Sequence, residues 1–316
     1  GVSSAASDVY KRQYGKVSLK DIFVERQFSS HALLRVGNFV HQFGLQSSTS
    51  SSMKVTMEEP ASNEAFFNSR LMGAMFVYDK NDFFGTASVH VESEALKKKS
   101  NELGKMGYGA MSRLVYRPLH DTGRLFQLGI SGAYETPRYN SEPTLDHTSF
   151  DLGANFPTRI AKVRAVNALI PDAKNLIKFT PEMIAGYGPV ALEAQYYYLQ
   201  VNRKKDFKNY KASGMYGILR GLLIGGNYRY SHTDCGIATP DSGSLECVFG
   251  YNYTDMSDTR SHIYGGRLND VSFTVNYYIN KYMIWRFRYS YTKITDRVGF
   301  ENQSLSAFQT RFQVIF

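Results

Sequence analysis

Strict alternation of apolar and polar residues over about ten positions is the feature that most constrains this fold. In 283–292, Met, Trp, Phe and two Tyr occupy the odd positions, and the even positions include Arg286, Arg288, Ser290 and Thr292. The same period of two recurs in 245–254, 271–280 and 308–316. A period of two over this length predicts β-strands with one apolar face, because an amphipathic helix repeats every 3.6 residues.

Similar segments predict further strands at 17–27, 32–43, 69–79, 83–92, 108–117, 124–135, 147–156, 177–186, 190–201 and 208–218. Tight turns connect some of them, whereas four connections are predicted to be long polar loops, at 93–105, 136–146, 255–268 and 293–305. Strands of about ten residues, with short turns at one end and long loops at the other, are typical of outer-membrane β-barrels. Strands of soluble sandwiches usually have about 5–6 residues. The predicted fold class is therefore all-β, a transmembrane antiparallel β-barrel with about 13–14 strands in this chain.

Two segments do not fit the simple pattern. Residues 157–176 show no clean period and are interpreted as a short helix or an inserted loop. Residues 222–231 resemble a strand, but an additional strand there would require a tight turn at 219–221 to keep the long loops on one side. An inner-side connection through 222–243 is the other interpretation, and the pattern alone leaves both open.

Composition supports a membrane barrel and excludes several other classes. No stretch approaches the ~18 consecutive apolar residues of a membrane-spanning helix, which excludes a helical membrane protein. The chain has 23 Tyr and 21 Phe but one Trp, and amphipathic aromatic residues suit the girdles at a membrane surface. Two Cys, at 235 and 247, exclude a disulfide scaffold, and we predict no bond between them. The net charge of +9 permits nucleic acid, acidic lipid or small anions as partners and does not decide among them. The barrel interpretation predicts small anions and outer-membrane lipid as partners, and no nucleic acid.

No motif predicts catalysis. The segment from Gly186 to Ala191 fits the dinucleotide pattern GxGxxG/A, but it contains Pro189 and precedes a strand rather than a helix, so we interpret it as a turn. The seven His are scattered, without metal-ligand spacing. A Ser–His pair across strands stays open, because such pairs need not be close in sequence. We predict no enzymatic activity, no catalytic residue, no cofactor and no metal.

Arginines on the polar faces of the strands are the candidate functional residues. They are Arg35, Arg113, Arg117, Arg286, Arg288 and Arg311. An Arg facing lipid costs ~2–4 kcal/mol at the bilayer midplane, so these side chains are predicted to point into the lumen and bind anions. The alternative is a ring of Arg–carboxylate pairs that rigidifies the wall. Acidic residues also occur on the polar faces, at Glu135, Glu193 and Glu246, but fewer of them are visible, which favours an anion-attracting lumen.

The first residues are predicted to be foreign to the protein. The run from Asp8 to Gln13 back-translates to GAT GTG TAT AAG AGA CAG, which resembles a transposon end used in sequencing libraries. We interpret 1–13 as a translated adapter and 14–316 as a barrel domain that lacks its first strands. Residues 1–13 are accordingly expected to contact nothing, and the first strand that follows to have a free edge. A natural Ser/Ala-rich leader is the alternative.

Four segments, in order along the chain, resemble the phosphate-selective porin O and P family. They are LLRVGNFVHQFGLQSSTSSS (33–52), GYGPVALEAQYYYLQV (186–201), GSLECVFGYNYTDM (243–256) and GGRLNDVSFTVNYYINKYMIWRFRYSYTKI (265–294). The resemblance implies a bacterial outer-membrane porin, with sixteen strands in the full protein, a homotrimer and a loop folded into the pore. It also favours the inner-side connection through 222–243. The ending Phe312-x-Val314-x-Phe316 is similar to the signal read by the barrel-assembly machinery.

The constriction loop that the resemblance implies corresponds to roughly 45–68. It contains Ser51, Ser52 and Lys54, whose hydroxyls and ammonium suit a partly dehydrated anion. A flexible Ser-rich loop is the alternative. The sequence departs from the family at Gln42, where Pro is expected, and at Thr56-Met57-Glu58-Glu59, where Phe-Met-Glu-Arg is expected. Phosphate or polyphosphate selectivity is therefore an implication of the resemblance only.

The predicted function is passive diffusion of small anions through a water-filled outer-membrane channel. Two other classes stay open: a plugged barrel with an adhesion or structural role, and an outer-membrane enzyme. The topology makes a direct prediction, because the apolar series Met283, Trp285, Phe287, Tyr289 and Tyr291 should face outward. Their strand should form a hairpin with 271–279 through the turn at Asn280-Lys281.

Overall fold

The chain forms a long antiparallel sheet with two small hairpins folded against its inner face. The computed structural model describes residues 3–11, 17–47, 49, 54–67, 70–93, 106–158 and 163–314, with side chains from Asp21 onward. Its strands are β1 (Ser3–Lys11), β2 (Val17–Ser29), β3 (Ala32–Val40), β4 (Arg70–Lys80), β5 (Phe83–Glu92), β6 (Tyr108–Asp121), β7 (Arg124–Glu135), β8 (Phe150–Asn155), β9 (Arg164–Ile170), β10 (Ala173–Tyr187), β11 (Val190–Arg203), β12 (Tyr210–Ile224), β13 (Tyr230–Ser231), β14 (Gly236–Ile237), β15 (Leu245–Asp258), β16 (Ile263–Asn280), β17 (Met283–Arg297) and β18 (Gln303–Val314). One short helix, α1 (Ala61–Phe66), and a 3-10 turn, Leu45–Ser47, lie between β3 and β4.

The main sheet contains fourteen strands, which agrees with the number read from the alternation. Each strand pairs with the next along the chain, except that β8, β9, β13 and β14 are left out of the wall. The strands are longer than the pattern indicated: β16 begins at Ile263 and β17 continues to Arg297. The long loops predicted at 255–268 and 293–305 are therefore wrong. Cross-strand ion pairs explain the extension, since Arg267 contacts both Asp255 and Asp296 at 3.0 Å.

The two faces of the sheet differ sharply in chemistry. The aromatic series on β17 faces outward, with Trp285 44% exposed, while Arg286 between its members is 0% exposed. A two-residue turn at Lys281 and Tyr282 joins β17 to β16, which confirms the predicted hairpin. Because the apolar face is the exposed one, this sheet has the opposite polarity to a soluble sandwich. Among the described residues, no helix has the length and apolarity needed to cross a bilayer.

The beginning of the chain differs from expectation. The segment Ser3–Lys11 forms β1 and pairs with β2 in antiparallel register, with Ser7 opposite Ile22. The expectation that residues 1–13 contact nothing is wrong for this part, and so is the expectation that the 17–27 strand has a free edge. A free strand edge offers unpaired N–H and C=O groups that an adjacent extended segment can satisfy, whatever its side chains. The adapter origin of 1–13 stays a prediction.

Two connections fold inward instead of extending the wall. The predicted strand at 147–156 exists as β8, but it pairs only with β9 and forms a separate hairpin, which occupies much of the irregular 157–176 region. The wall strand β12 ends at Ile224, and 225–244 contains only the two-residue strands β13 and β14. Residues 222–231 are therefore not an additional wall strand, and the inner-side connection is confirmed.

Candidate functional site

The loop from 41 to 67 crosses the inner face of the sheet, which we call the lumen. Its entry depends on Gly44, whose φ of +77° is a left-handed conformation that favours glycine. The Gly44 amide donates to Ser131 Oγ (2.9 Å), and the next amide, of Leu45, donates to Gln195 Oε1 (3.2 Å). A Cβ at position 44 would lie 1.8 Å from Gln195 Nε2. The loop is thus fixed against β7 and β11 as soon as it leaves β3.

Helix α1 at the end of the loop is fixed to the strands from β10 to β15. The Ser62 amide donates to Asn252 Oδ1 (2.9 Å), and Tyr197 donates its hydroxyl proton to Asn63 Oδ1 (2.7 Å). The Lys178 ammonium donates to the carbonyl oxygen of Phe66 (2.7 Å). The helix is too short to be stable alone, so these side chains of the wall hold it in position.

The middle of the loop is bound by the last strands of the wall. Arg286 Nη1 donates to the carbonyl oxygen of Lys54 (2.6 Å), and Arg311 Nη1 donates to that of Met57 (3.0 Å). The Lys54 ammonium, in turn, donates to the carbonyl oxygen of Gln46, and Lys54 is buried. The loop therefore spans the lumen from β7 to β18, the position expected of a constriction.

Every predicted arginine lies on the inward face, and five of the six pair with carboxylates. The pairs are Arg35–Glu25 (2.6 Å), Arg113–Glu182 (2.6 Å), Arg117–Asp79, Arg288–Asp270 (3.2 Å) and Arg311–Glu58 (2.7 Å). The expectation that acidic residues are few on this face is therefore wrong. For these five residues the observed contacts are those of the alternative interpretation, a ring of ion pairs in the wall.

Sequence reasoning missed two further buried ion pairs. Arg220 contacts Glu246 (2.8 Å), and Lys178 contacts Glu135 (2.9 Å). The sequence pattern allows a tight turn at 219–221, but Arg220 lies inside β12 and faces inward. The signal for Lys178 was present, because it alternates with outward apolar residues on β10.

Arg286 is the exception among the predicted arginines. It is 0% exposed, and no Asp or Glu oxygen within the described ranges lies within ion-pair distance of it. Its Nη1 donates to the main-chain carbonyl of Lys54, and its Nε has no partner among the described residues. Guanidinium groups stay charged at any physiological pH. Arg286 therefore brings a positive charge into the lumen that no carboxylate of the described residues contacts directly, although Glu246 acts on it from beyond ion-pair distance.

A cavity of about 140 Å³ lies between the constriction loop, the wall and the inward connection 225–244. Three basic side chains line it, namely Lys54, Arg220 and Arg286. Two acidic side chains, Glu193 and Asp234, line it as well. The cavity is therefore a place where a small solute meets groups of both charges.

The inward connection 225–244 is anchored to the wall by polar contacts. Tyr228 donates its hydroxyl proton to Glu246 Oε1 (2.8 Å), and Tyr230 donates to Gln127 Oε1 (2.5 Å). Cys235 is buried beside Arg117, far from an outward Cys247, and both cysteines are free, as predicted. We call residues 225–244 the inner plug, because they fill the lumen from the end with short turns.

The remaining predicted site residues are only partly described. Ser51, Ser52 and Phe316 lie outside the described residues. Phe312 and Val314 are exposed on the outer face of β18. Their role in assembly stays a prediction.

A sheet that is apolar outside and charged inside, with connections folded into its lumen, defines an outer-membrane barrel of the channel-forming type. The model of the family "Phosphate-selective porin O and P" matches residues 3–316. The chain belongs to this family, which makes it an outer-membrane porin of bacteria.

Solved structures agree with this fold. OmpT of Vibrio cholerae superposes with a TM-score of 0.56 at 9% identity, over 94% of this chain and 79% of that one. Its loop L8 deletion mutant gives 0.56 at 11% identity, over 98% and 84%. An in-vitro folded trimer form of OmpT gives 0.51 at 10% identity, over 94% and 80%. No curated protein sequence matched the chain.

Proposed function

We propose that this porin passes small anions in preference to cations, and that Arg286 carries the preference. The observation behind the proposal is a fully buried guanidinium whose Nε has no hydrogen-bond partner and whose charge has no ion-pair partner among the described residues. A charge surrounded by low-dielectric protein raises the local concentration of counter-ions and repels ions of its own sign. The other predicted arginines add less, since carboxylates neutralise them.

Phosphate passage and trimer formation belong to the same proposal. The family's description names phosphate, and guanidinium groups bind oxyanions in a forked geometry. The trimer form of Vibrio cholerae OmpT supports a homotrimer for this chain. The acidic residues of the lumen argue for a weak anion preference rather than a strict phosphate filter.

The test is the reversal potential of the reconstituted porin in a potassium chloride gradient. We expect an anion-selective potential that decreases as ionic strength rises, because salt screens the field of Arg286. Arg286→Gln should abolish most of the preference, whereas Arg288→Gln should change it less, because Asp270 already compensates Arg288. Cation selectivity of the unmodified channel, or equal effects of the two substitutions, would contradict the proposal.

A plugged barrel is the second candidate, and one observation favours it. The constriction loop and the inner plug bury inward side chains of the wall such as Arg113 and Tyr197 almost completely. The same bilayer experiment separates the candidates, because a plugged barrel would insert without measurable ion current.

A further inference from the structure

Two opposite charges without ion-pair partners line the cavity between the constriction loop and the inner plug. In the part of the chain that the structure describes, no carboxylate lies within ion-pair distance of Arg286. Glu193 is 6% exposed, and its Oε1 accepts a hydrogen bond from Gln46 Nε2 (2.9 Å). Within the described ranges, no Lys or Arg nitrogen lies within ion-pair distance of the Glu193 carboxylate.

The two charges are held apart by a chain of hydrogen bonds along one wall of the cavity. Arg286 donates to the carbonyl of Lys54, Lys54 donates to the carbonyl of Gln46, and Gln46 donates to Glu193. The spacer is part of the constriction loop, so the charges cannot collapse onto each other without displacing it. A buried charge without a partner is costly, and a ligand that satisfies it gains the corresponding free energy.

Two buried hydrogen-bonding atoms at this cavity also lack partners among the described residues. Arg286 Nε is a donor without a partner, and Gln46 Oε1 is an acceptor without a partner. Both residues are more than nine-tenths buried and line this cavity. The other basic group of the wall, Arg220, is already engaged by Glu246. Lys54 and Asp234 also line the cavity, and Lys54 already donates to the carbonyl of Gln46. The unused donor therefore lies at Arg286, and the unused acceptor lies at Gln46 beside Glu193.

We propose that this cavity is a binding subsite for small zwitterions of the α-amino acid class. The carboxylate of the solute would bind Arg286, and its ammonium group would bind Glu193 and Gln46 Oε1. The volume of about 140 Å³ corresponds to roughly five water molecules at ~30 Å³ each, enough for a solute the size of alanine. The proposal rests on the proposed channel function and adds a solute class to it.

The test compares L-alanine with propionate, which lacks the ammonium group, as blockers of chloride current through the reconstituted porin. We expect saturable block by both, with alanine effective at a concentration at least about tenfold lower, because one charge-assisted hydrogen bond contributes ~1.5–3 kcal/mol. Equal block by the two solutes, or block without saturation, would overturn the proposal. Inorganic phosphate is the third probe. Block by phosphate as strong as block by alanine would show that Arg286 binds any oxyanion equally well, and this result would also overturn the proposal.

Variants assign the two ends of the subsite. Glu193→Gln should remove the advantage of alanine over propionate and leave propionate block in place, whereas Arg286→Gln should weaken both. Arg267→Gln is the matched control, because it removes a charge from an exposed ion pair outside the cavity and should preserve the ratio. An unchanged ratio in Glu193→Gln would contradict the assignment.

Failure of this inference is distinguishable from failure of the proposed function. An anion-selective channel without alanine block overturns the subsite alone. A porin without ion current overturns the channel proposal, and calorimetric titration of L-alanine into the folded full chain then tests the subsite directly. Absence of binding heat from alanine in that titration would overturn it.

Discussion

Arg113 on β6 and Arg286 on β17 occupy similar positions in the sequence pattern but different electrostatic environments. Both are 0% exposed, face the lumen and alternate with outward apolar residues. Arg113 makes two hydrogen bonds to Glu182, through Nε (3.1 Å) and Nη2 (2.6 Å), whereas Arg286 contacts a main-chain carbonyl. The comparison teaches that alternation fixes where an arginine points, while a partner distant in sequence decides whether its charge is available to a solute.

The largest expected effect is the loss of stability when the ion pair between Arg113 and Glu182 is broken. Arg113→Gln leaves Glu182 buried without its cation, and removing one partner of a buried pair costs ~3–5 kcal/mol. Arg286→Gln orphans no carboxylate and removes a buried charge that lacks an ion-pair partner, so the loss of one hydrogen bond, about 1 kcal/mol, is the upper limit of its cost. Urea unfolding in detergent, followed by circular dichroism, measures both.

A control for this prediction removes both charges of the pair. The double substitution Arg113→Leu and Glu182→Leu should recover most of the lost stability, since apolar replacement of a buried pair is often neutral. Equal costs for Arg113→Gln and Arg286→Gln would show that the two environments do not differ energetically.

A second, smaller contrast concerns two hydrogen bonds to Glu246, one from the inner plug and one from the wall. Tyr228 of the plug and Tyr278 of the wall both donate their hydroxyl protons to this carboxylate, at 2.8 and 2.7 Å. Either substitution to Phe should cost ~1.5–3 kcal/mol, because each removes a hydrogen bond to a charged group. Only Tyr228→Phe should increase current fluctuations in single-channel recordings, since of these two bonds only the one from Tyr228 connects the plug to the wall. Identical recordings from the two variants would contradict the anchoring role.

Much of the fold could be predicted from the sequence, because a period of two is a local property of each strand. The pairing of buried charges could not. Glu182 reaches Arg113 across β7 from a position 69 residues away, and Asp270 reaches Arg288 within its own hairpin but off the direct register, in which Arg288 faces Thr274. The extent of β16 and β17 was underestimated, because polar cross-strand pairs at their ends resemble loop residues in the sequence.

Arg288, which is paired with Asp270, can be converted into an arginine without an ion-pair partner. Asp270→Asn removes the charge that compensates Arg288 but keeps an oxygen acceptor for Thr292, which now donates to Asp270 Oδ1 (2.6 Å). The anion-to-cation permeability ratio should rise by about fivefold if one additional unit charge contributes roughly 1 kcal/mol. The reversal potential measures the ratio, and a fall in anion preference would show that Arg288 does not act on permeating ions.

The smallest expected effect is a pH dependence at the inner plug. Partial burial, together with the nearby Arg117, lowers the pKa of His232 below its ordinary value of 6.5. The folded plug therefore favours the neutral imidazole, and stability contributed by His232 is present above pH 6.5 and decreases as pH falls below it. Two other groups act on the same ring: Asp79 raises the pKa of His232, and His120 lowers it.

The measurement for His232 is thermal unfolding of the wild type and of His232→Asn at pH 7.5 and pH 5, values chosen to lie about 1 unit or more on either side of its ordinary pKa. We expect the variant to lose less stability on acidification than the wild type. Parallel losses would show that the plug is insensitive to this imidazole.

The constriction loop has a consequence for the order in which the chain can fold. Its contacts join residues far apart in sequence, 232 positions for Arg286 with Lys54 and 253 for Arg311 with Glu58. Contacts of such separation form late, because the entropy of closing a long loop opposes them until the intervening chain is ordered. The strands between β4 and β18 must therefore be in place before the constriction loop can lock. A barrel with an ordered wall and an unlocked loop is the expected last intermediate, and its lumen would be wider than that of the finished porin.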